Sequence, residues 1–257
     1  MNDIPTSLVA VLYIIVFLYG IVIGSFANVC ICRIPRKESV VKVRSHCEKC
    51  GYQLKWYDLI PVFSYLFLGG KCRKCGNRIS VQHLLLEVLN GVLYLLIFYV
   101  CGISVESLLY CLAGTALLIL SVIDAKTCEI PVGCNWFIGA LGVIRLAADY
   151  RNYLLYLIGA LSVSAFLYVL YLASKGRAIG GGDVKLMAAA GLLLGWKRIL
   201  LAFIIGCVAG SVIHLIRMKV SNKDHVLAMG PYLSVGIMVA ALWGDRFINW
   251  YFALLGL

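Results

Sequence analysis

The amino-acid sequence predicts an all-α polytopic membrane protein with about eight transmembrane helices and a small cysteine-rich loop domain after the first helix. Hydrophobic residues make up 62% of the chain, and the mean hydropathy is +0.94. A soluble domain contains roughly 45–50% apolar residues. The apolar residues also fall in runs of the length that crosses a bilayer, about 20 residues each. The lipid bilayer is therefore the first expected partner of this chain.

Eight apolar runs are predicted to span the membrane, at residues 8–29, 83–101, 104–124, 130–147, 153–173, 184–195, 197–217 and 229–255. The first run has no basic segment before it and no convincing cleavage site, so we interpret it as a retained span and not as a signal peptide. The sixth run is short, and Gly195-Trp196-Lys197 could form a tight turn or a bend in one longer helix. We favour the turn, because it brings the basic loops to one side of the membrane.

This pattern divides the chain into three regions. The first span occupies residues 1–30, a loop domain occupies residues 31–82, and a transmembrane bundle occupies residues 83–257.

The positive charge of the chain indicates its orientation in the membrane. The formal net charge is +11 at pH 7. Such a charge could indicate nucleic-acid binding, but the Lys and Arg residues are gathered in a few loops between apolar runs. Most lie on the side of the loop after the first span, whereas the opposite side has only Arg145, Arg151, Lys197, Arg198 and Arg246. We therefore predict a cytoplasmic loop domain, both termini outside, and no nucleic-acid partner.

Four of the eleven cysteines form two Cys-x-x-Cys pairs in this basic loop. A glycine follows each pair, and the complete set is Cys47, Cys50, Gly51, Cys72, Cys75 and Gly76. Two such turns supply the four thiolates of a tetrahedral metal site, which is structural because the protein fills every position. A pair of redox-active dithiols is the weaker interpretation, since one pair would suffice. Thiolate ligands favour zinc over iron.

Two aspartates are expected at the cytoplasmic boundary. Asp124 ends the third span, which runs inward, and Asp183 begins the sixth, which runs outward. The run Gly180-Gly181-Gly182 precedes Asp183, and such a run can take unusual backbone conformations and let another backbone approach closely. Either aspartate alone is most simply a helix cap. The pair favours a hydrolytic site, because ionisable groups in membrane segments are costly and two carboxyl groups can share a proton.

Glu87 lies one turn inside the second span. It could pair with a basic loop residue, or it could recognise a cationic group such as a free amino terminus or a sulfonium, and the sequence leaves both open. The chain contains no nucleotide-binding loop, no Gly-x-Ser-x-Gly and no His-Glu-x-x-His motif. The absence of the last two argues against a serine hydrolase and a zinc-dependent intramembrane protease.

Several motifs, taken in order, resemble those of the bacterial type IV prepilin peptidases. They are Gly24-Ser25-Phe26-Ala27-Asn28-Val29 followed by Arg33-Ile34-Pro35, the four paired cysteines, Trp56-Tyr57-Asp58-Leu59-Ile60-Pro61, Glu87 with Gly91, Asp124 with Ile130-Pro131, and Gly180 to Lys185. The last matches the Gly-x-Gly-Asp box of that family. The resemblance extends from Gly24 to Pro231, and its separate motifs make it specific.

This resemblance implies an aspartic protease of the bacterial inner membrane that removes the basic leader from prepilins or pseudopilins at the cytoplasmic face. It implies that Asp124 and Asp183 are catalytic and that Gly180, Gly181, Gly182 and Lys185 position the substrate backbone. Family members with the tetracysteine loop generally also methylate the new amino terminus with S-adenosylmethionine. Glu87 is then a candidate contact for that cofactor.

The sequence departs from the family pattern at Glu129. This residue is an extra acid beside Asp124 that could raise the pKa of the aspartate pair or face water, and we favour the second.

Three alternative functions remain open. They are a peptidase without methylation, a proton-coupled transporter and a non-enzymatic zinc-bearing scaffold. The transporter would need an inverted repeat, which the sequence does not show clearly.

Overall fold

The computed structural model describes residues 6–177, 179–220, 228–254 and 256. These residues form α-helices and short 3-10 turns, and none of them forms a β-strand. The helices within this described part are α1 (Thr6–Arg33), α2 (Phe63–Phe67), α3 (Val81–Cys101), α4 (Val105–Thr127), α5 (Val132–Ala148), α6 (Tyr153–Ala173), α7 (Gly181–Leu194), α8 (Trp196–Val220) and α9 (Gly230–Leu254).

All of these helices except α2 coincide with the eight apolar runs of the sequence. Gly195 separates α7 from α8 with a φ of +81°, which confirms the predicted turn. Leu255, the predicted end of the last span, lies outside the described residues. Helices α1, α3, α4, α6 and α8 are long and apolar enough to cross a membrane, and α5 is apolar but shorter. The chain is a multi-pass membrane protein, and crossing by α5, α7 and α9 stays a prediction.

The chain divides into two compact units, one ending at Gly102 and one beginning at Ile103. The first contains α1, the cysteine-rich loop with α2, and α3. The second contains α4 to α9. The three-region division at residues 30 and 82 stays a prediction.

Small residues allow α1 and α3 to pack closely in the first unit. A Cβ atom at Gly20 would lie 2.8 Å from the Cα of Gly91, and one at Gly24 would lie 2.9 Å from the Cα of Glu87. The side-chain amide of Asn90 donates a hydrogen bond to the Gly20 carbonyl at 2.7 Å. Lipid provides no hydrophobic driving force between helices, so helix pairs in a bilayer are stabilised by close packing and by hydrogen bonds of this kind. The crossing places Glu87 against α1.

Helix α4 forms the core of the second unit. Of its most apolar 18-residue stretch, 67% is buried inside the protein, against 28% for the span that includes α6 and 22% for α8. Neighbouring helices therefore surround α4, and Asp124 lies in its last turn.

An ionic cluster joins four helices at the other end of the second unit. Glu106 lies in the first turn of α4 and accepts contacts from Arg145 at 3.0 Å and from Arg198 at 3.2 Å. Arg198 also pairs with Asp245 at 2.5 Å, and the Tyr110 hydroxyl donates to Glu106 at 2.7 Å. Glu106 and Asp124 lie at opposite ends of α4, about 27 Å apart along the helix axis at 1.5 Å per residue. The cluster was not predicted, because Arg145 and Arg198 are isolated charges near the ends of two different apolar runs in the sequence.

Candidate active site and metal-binding loop

Asp124 is buried, with 4% of its surface exposed. Its Oδ2 accepts a hydrogen bond from the backbone N–H of Gly230 at 2.8 Å. Gly230 is the first residue of α9, where the N–H groups have no partner within the helix and the helix dipole favours a negative charge. Asp124 therefore caps α9 and not its own helix. A Cβ atom at Gly230 would lie 2.6 Å from the same carboxylate oxygen, so this contact requires glycine.

Asp183 lies in the first turn of α7, whose N-cap residue is Gly180. Its backbone N–H donates to the Gly180 carbonyl at 3.1 Å. Its side-chain Oδ1 is buried and has no hydrogen-bond partner among the described residues. The carboxyl groups of Asp183 and Asp124 lie within electrostatic range of each other. The structure thus brings together the two aspartates that the sequence suggested as a pair.

None of the three glycines before Asp183 has an unusual backbone conformation, and the need for space is clear at Gly182. The φ angle of Gly180 is −72°, and the positive-φ glycines of the described chain do not include Gly181 or Gly182. A Cβ atom at Gly182 would lie 2.9 Å from the Cβ of Ile130. The expectation of special conformations is therefore wrong for these three glycines, whereas close approach of neighbouring groups is observed at Gly182. Lys185, also predicted to position the substrate, lies on α7.

The linker after α4 lies beside this site. Cys128 takes a left-handed conformation with φ of 54°, and its N–H donates to the backbone carbonyl of Asp124 at 2.7 Å. This C-cap ends the helix and turns the chain toward Ile130. Glu129 is exposed, which agrees with the interpretation that it does not act on the buried aspartate.

Sequence reasoning missed two residues of this site, Gly230 and Asn135. Asn135 is 5% exposed on α5, and its Nδ2 donates to the backbone carbonyl of Gly182 at 3.2 Å. An asparagine within an apolar run was a usable signal, because a buried amide needs hydrogen-bond partners. Gly230 gave a weaker signal, a Gly-Pro pair at the start of the last apolar run.

The four paired cysteines lie together in the first unit. All four sulfur atoms are within 4.8 Å of one another. The Sγ atoms of Cys47 and Cys75 are 3.8 Å apart, and those of Cys50 and Cys72 are 4.0 Å apart. A tetrahedral site with metal–sulfur bonds of about 2.3 Å has sulfur atoms about 3.8 Å apart. The cluster can hold a metal ion.

Backbone geometry prepares each Cys-x-x-Cys turn for thiolates. Gly51 and Gly76 have φ angles of +67° and +66°, and each N–H donates to the carbonyl of the first cysteine of its pair at 2.9 Å. Hydrogen bonds from the amides of Cys50 and Lys49 lower the pKa of the Cys47 thiol to about 6. At Cys47, the thiolate form that a metal requires is therefore favoured.

A buried carboxylate attaches the segment between the turns to the second turn. The carboxylate of Asp58 accepts hydrogen bonds from the Arg73 guanidinium at 2.9 Å and from the Lys55 N–H at 3.2 Å. Arg73 also lies over the Tyr57 ring, at 5.0 Å from its centroid. The fold of the metal loop thus depends on a residue between the cysteine pairs.

Glu87 contacts the same segment at Val62, which also lies between the two cysteine pairs. Its Oε2 accepts the N–H of Val62 at 2.8 Å, and the Ser25 hydroxyl also donates to its carboxylate. Val62 has a φ of 62° and a ψ of −55°, an unfavourable conformation for a β-branched residue. The Phe63 N–H closes this γ-turn on the Pro61 carbonyl at 2.6 Å. Glu87 therefore stabilises a strained turn.

Comparison with known proteins gives two family models and several curated relatives. Residues 18–101 match the bacterial peptidase A24 N-terminal domain, and residues 111–215 match the type IV leader peptidase family. A protein of Bacillus subtilis (strain 168) named prepilin leader peptidase/N-methyltransferase is 32% identical over 240 residues, which cover 92% of this chain and 96% of the relative.

The chain belongs to the type IV leader peptidase family. A Legionella pneumophila relative of the same name is 30% identical and covers 93% of this chain and 94% of its own length. A Pseudomonas putida relative is 28% identical and covers 92% of each chain. No solved structure was found to match.

The two family models match different parts of this leader peptidase family member, one with the metal-binding loop and one with the aspartate site. The N-terminal model contains the four cysteines and Glu87, and the leader peptidase model contains Asp124, Asn135 and Asp183. Gly230 follows the matched region.

Proposed function

We propose that this chain is a prepilin leader peptidase that hydrolyses one peptide bond of its substrate at a pair of aspartates and then methylates the new amino terminus. Two supports combine in this proposal. The chain belongs to the type IV leader peptidase family, and its curated relatives are named prepilin leader peptidase/N-methyltransferase. The observation that carries the proposal is the placement of Asp124 and Asp183 within electrostatic range of each other, with Asp124 and the Oδ1 atom of Asp183 buried in the second unit.

The aspartate pair supplies the acid and the base of hydrolysis. Two neighbouring carboxyl groups disfavour double ionisation and so share one proton. The ionised carboxyl accepts a proton from water while the protonated one donates to the peptide carbonyl. The water oxygen bonds to the carbonyl carbon, the carbon–nitrogen bond breaks, and the proton taken from water ends on the leaving amine. The Gly230 N–H fixes the orientation of the Asp124 carboxylate throughout.

The site acts at the cytoplasmic face of the bacterial inner membrane. The positive charges of the loops support this orientation. A substrate with a basic leader and an apolar stem keeps the leader in the cytoplasm, so its scissile bond reaches the boundary at which the aspartate pair lies. Gly180, Gly181, Gly182 and Lys185 position the substrate backbone beside Asp183 in this proposal. The close approach of Ile130 to Gly182 supports the need for a small residue at that one position.

The tetracysteine cluster holds a structural zinc ion. Four thiolates at tetrahedral spacing fill every coordination position, which favours zinc and leaves none open for a reacting group. The metal therefore fixes the fold of the loop between Cys47 and Cys75. The exposed apolar residues of that loop, among them Trp56, Phe63 and Phe67, suit a position at the membrane interface.

The methyl donor is S-adenosylmethionine, which supplies an electrophilic methyl group to the free amino terminus of the cleaved substrate. Glu87 is the candidate contact, since it is a buried carboxylate in the N-terminal matched region. Its hydrogen bond to Val62 supports an indirect role, in which Glu87 shapes the loop that covers the cofactor.

Co-expression with a tagged prepilin tests this function. Mass spectrometry of the recovered substrate is expected to show loss of the leader and addition of one methyl group to the new amino terminus. Loss of the leader without the methyl group would restrict the function to cleavage. An unchanged substrate mass with every prepilin and pseudopilin tried would contradict the proposal.

A further inference from the structure

Two buried oxygen atoms beside Gly182 lack partners in the described part of the chain. They are Oδ1 of Asn135 and Oδ1 of Asp183. Asn135 is joined to Gly182 by the hydrogen bond from its Nδ2 to the Gly182 carbonyl, and Asp183 follows Gly182 in sequence. The amide of Asn135 on α5 thus contacts the peptide unit that joins Gly182 to Asp183 on α7.

The orientation of the Asn135 amide follows from its partner. A backbone carbonyl only accepts hydrogen bonds, so the atom facing Gly182 must be the NH₂ group and the other atom must be the carbonyl oxygen. A buried acceptor without a donor destabilises the fold. The contact of Nδ2 with the Gly182 carbonyl accounts for one end of the Asn135 amide, whereas Oδ1 needs a donor that the described residues do not supply.

A water molecule has two O–H donors, the number that two acceptor oxygens need. We propose that Asn135 is a positioning residue of the cleavage site, whose Oδ1 holds the attacking water together with Oδ1 of Asp183. The water then retains its lone pairs for the peptide carbonyl. This inference rests on the proposed peptidase function and adds a third polar side chain to it.

The Nδ2 contact gives Asn135 a second effect on the same step. By holding the Gly182 carbonyl, the amide fixes the first turn of α7 and therefore the height of the Asp183 carboxyl group. Ile130 also packs against this turn, since a Cβ atom added at Gly182 would lie 2.9 Å from the Cβ of Ile130. One buried contact thus sets the positions of both the attacking water and the Asp183 carboxyl group.

The test is single-turnover and steady-state cleavage of a synthetic prepilin by purified full-length enzyme, with Asn135→Leu and Asn135→Ser. Asn135→Leu is expected to lower kcat about 100-fold, as a misplaced reactant does, with KM unchanged. Its thermal unfolding temperature is expected to change little, because loss of the Nδ2 contact with Gly182 is offset by removal of the unpartnered oxygen. Asn135→Ser keeps a hydroxyl acceptor and leaves room for water, so it is expected to recover part of the lost kcat.

Thr115→Val is the matched control. Thr115 is also a buried polar residue of the second unit, but its hydroxyl donates to the Cys111 carbonyl of its own helix at 3.1 Å. Its kcat is expected to equal that of the wild type. Wild-type kcat in Asn135→Leu would overturn the inference and leave the proposed function intact. If Asn135→Leu does not fold, the test rests on Asn135→Ser. A loss of kcat in that variant that is fully explained by a smaller folded fraction would also overturn the inference. Absence of cleavage by the wild type would instead contradict the proposed function.

Discussion

The backbone N–H of Gly230 donates a hydrogen bond to the carboxylate of Asp124 at 2.8 Å, across 106 residues of sequence. The start of α9 therefore orients a buried carboxylate at the end of α4. An N-terminal helix position suits this task, because its N–H is free and the helix dipole attracts negative charge.

Gly230→Ala is expected to lower cleavage about 100-fold, because displacement of a reacting group by about 1 Å has an effect of this size. The added Cβ would lie 2.6 Å from Asp124 Oδ2 and would push the carboxylate away. The matched control is Gly133→Ala in the first turn of α5, where no atom lies within 4 Å of an added Cβ. Cleavage assays in detergent would compare the two, and equal activity of both variants would show that the Gly230 contact is dispensable.

Cys47→Ser is expected to remove the bound metal, because a four-thiolate site with one ligand replaced loses most of its affinity. Metal analysis of the purified protein should detect zinc in the wild type and little in the variant. Cys30→Ser, at a buried cysteine of α1 outside the cluster, should retain the wild-type amount. Iron in the wild type, or full zinc in Cys47→Ser, would refute the proposed site.

Glu106→Gln is expected to lower the free energy of unfolding by about 1–3 kcal/mol, the range for hydrogen bonds to charged groups and for buried groups left unpaired. The substitution removes the charge that Arg145 and Arg198 share, in a cluster where the Glu106 side chain is only 27% exposed. Glu48→Gln breaks an ion pair with Arg36 whose side chains are 71% and 57% exposed, so it should cost less than about 1 kcal/mol. Urea or thermal unfolding in detergent measures both, and a loss as large in Glu48→Gln as in Glu106→Gln would count against the cluster.

Glu87→Gln separates the two roles left open for that carboxylate. Glutamine retains a carbonyl oxygen that can accept the Val62 N–H, so a role in shaping the loop predicts nearly normal methylation and stability. Direct recognition of a cationic cofactor by charge predicts a loss of methylation with cleavage retained. Glu87→Ala should impair the loop in either case, because it leaves the Val62 N–H without its acceptor. Mass spectrometry of the cleaved substrate distinguishes these outcomes.

Much of the fold could be predicted, because membrane helices are encoded by long apolar runs that the chain displays directly. The turn at Gly195 was also predictable, since glycine tolerates the positive φ found there. The metal cluster was predictable for a similar reason. The spacing of its four cysteines is a local property of the sequence, and it is typical of metal sites.

The contacts that complete the aspartate site were not predictable. Which helix start meets Asp124 depends on how α4 and α9 pack, and nothing near Asp124 in sequence specifies Gly230. The same holds for Asn135, whose partner Gly182 lies on another helix. The ionic cluster around Glu106 was missed because its members are far apart in sequence, and each is an ordinary charge at the end of an apolar run.

The glycines before Asp183 illustrate a further limit. Their number indicated backbone freedom, yet Gly182 is small because Ile130 occupies the space where a side chain would lie. Sequence alone does not distinguish conformational freedom from steric need.

The most direct test of the paired-aspartate mechanism is mass spectrometry of a prepilin incubated with wild-type enzyme, Asp124→Asn or Asp183→Asn, each purified and shown to fold by thermal unfolding. Asparagine preserves the shape of each side chain and removes its acid–base function. The mechanism predicts a leader-sized mass loss with the wild type and none with either variant. Cleavage at the wild-type rate by either folded variant would contradict it.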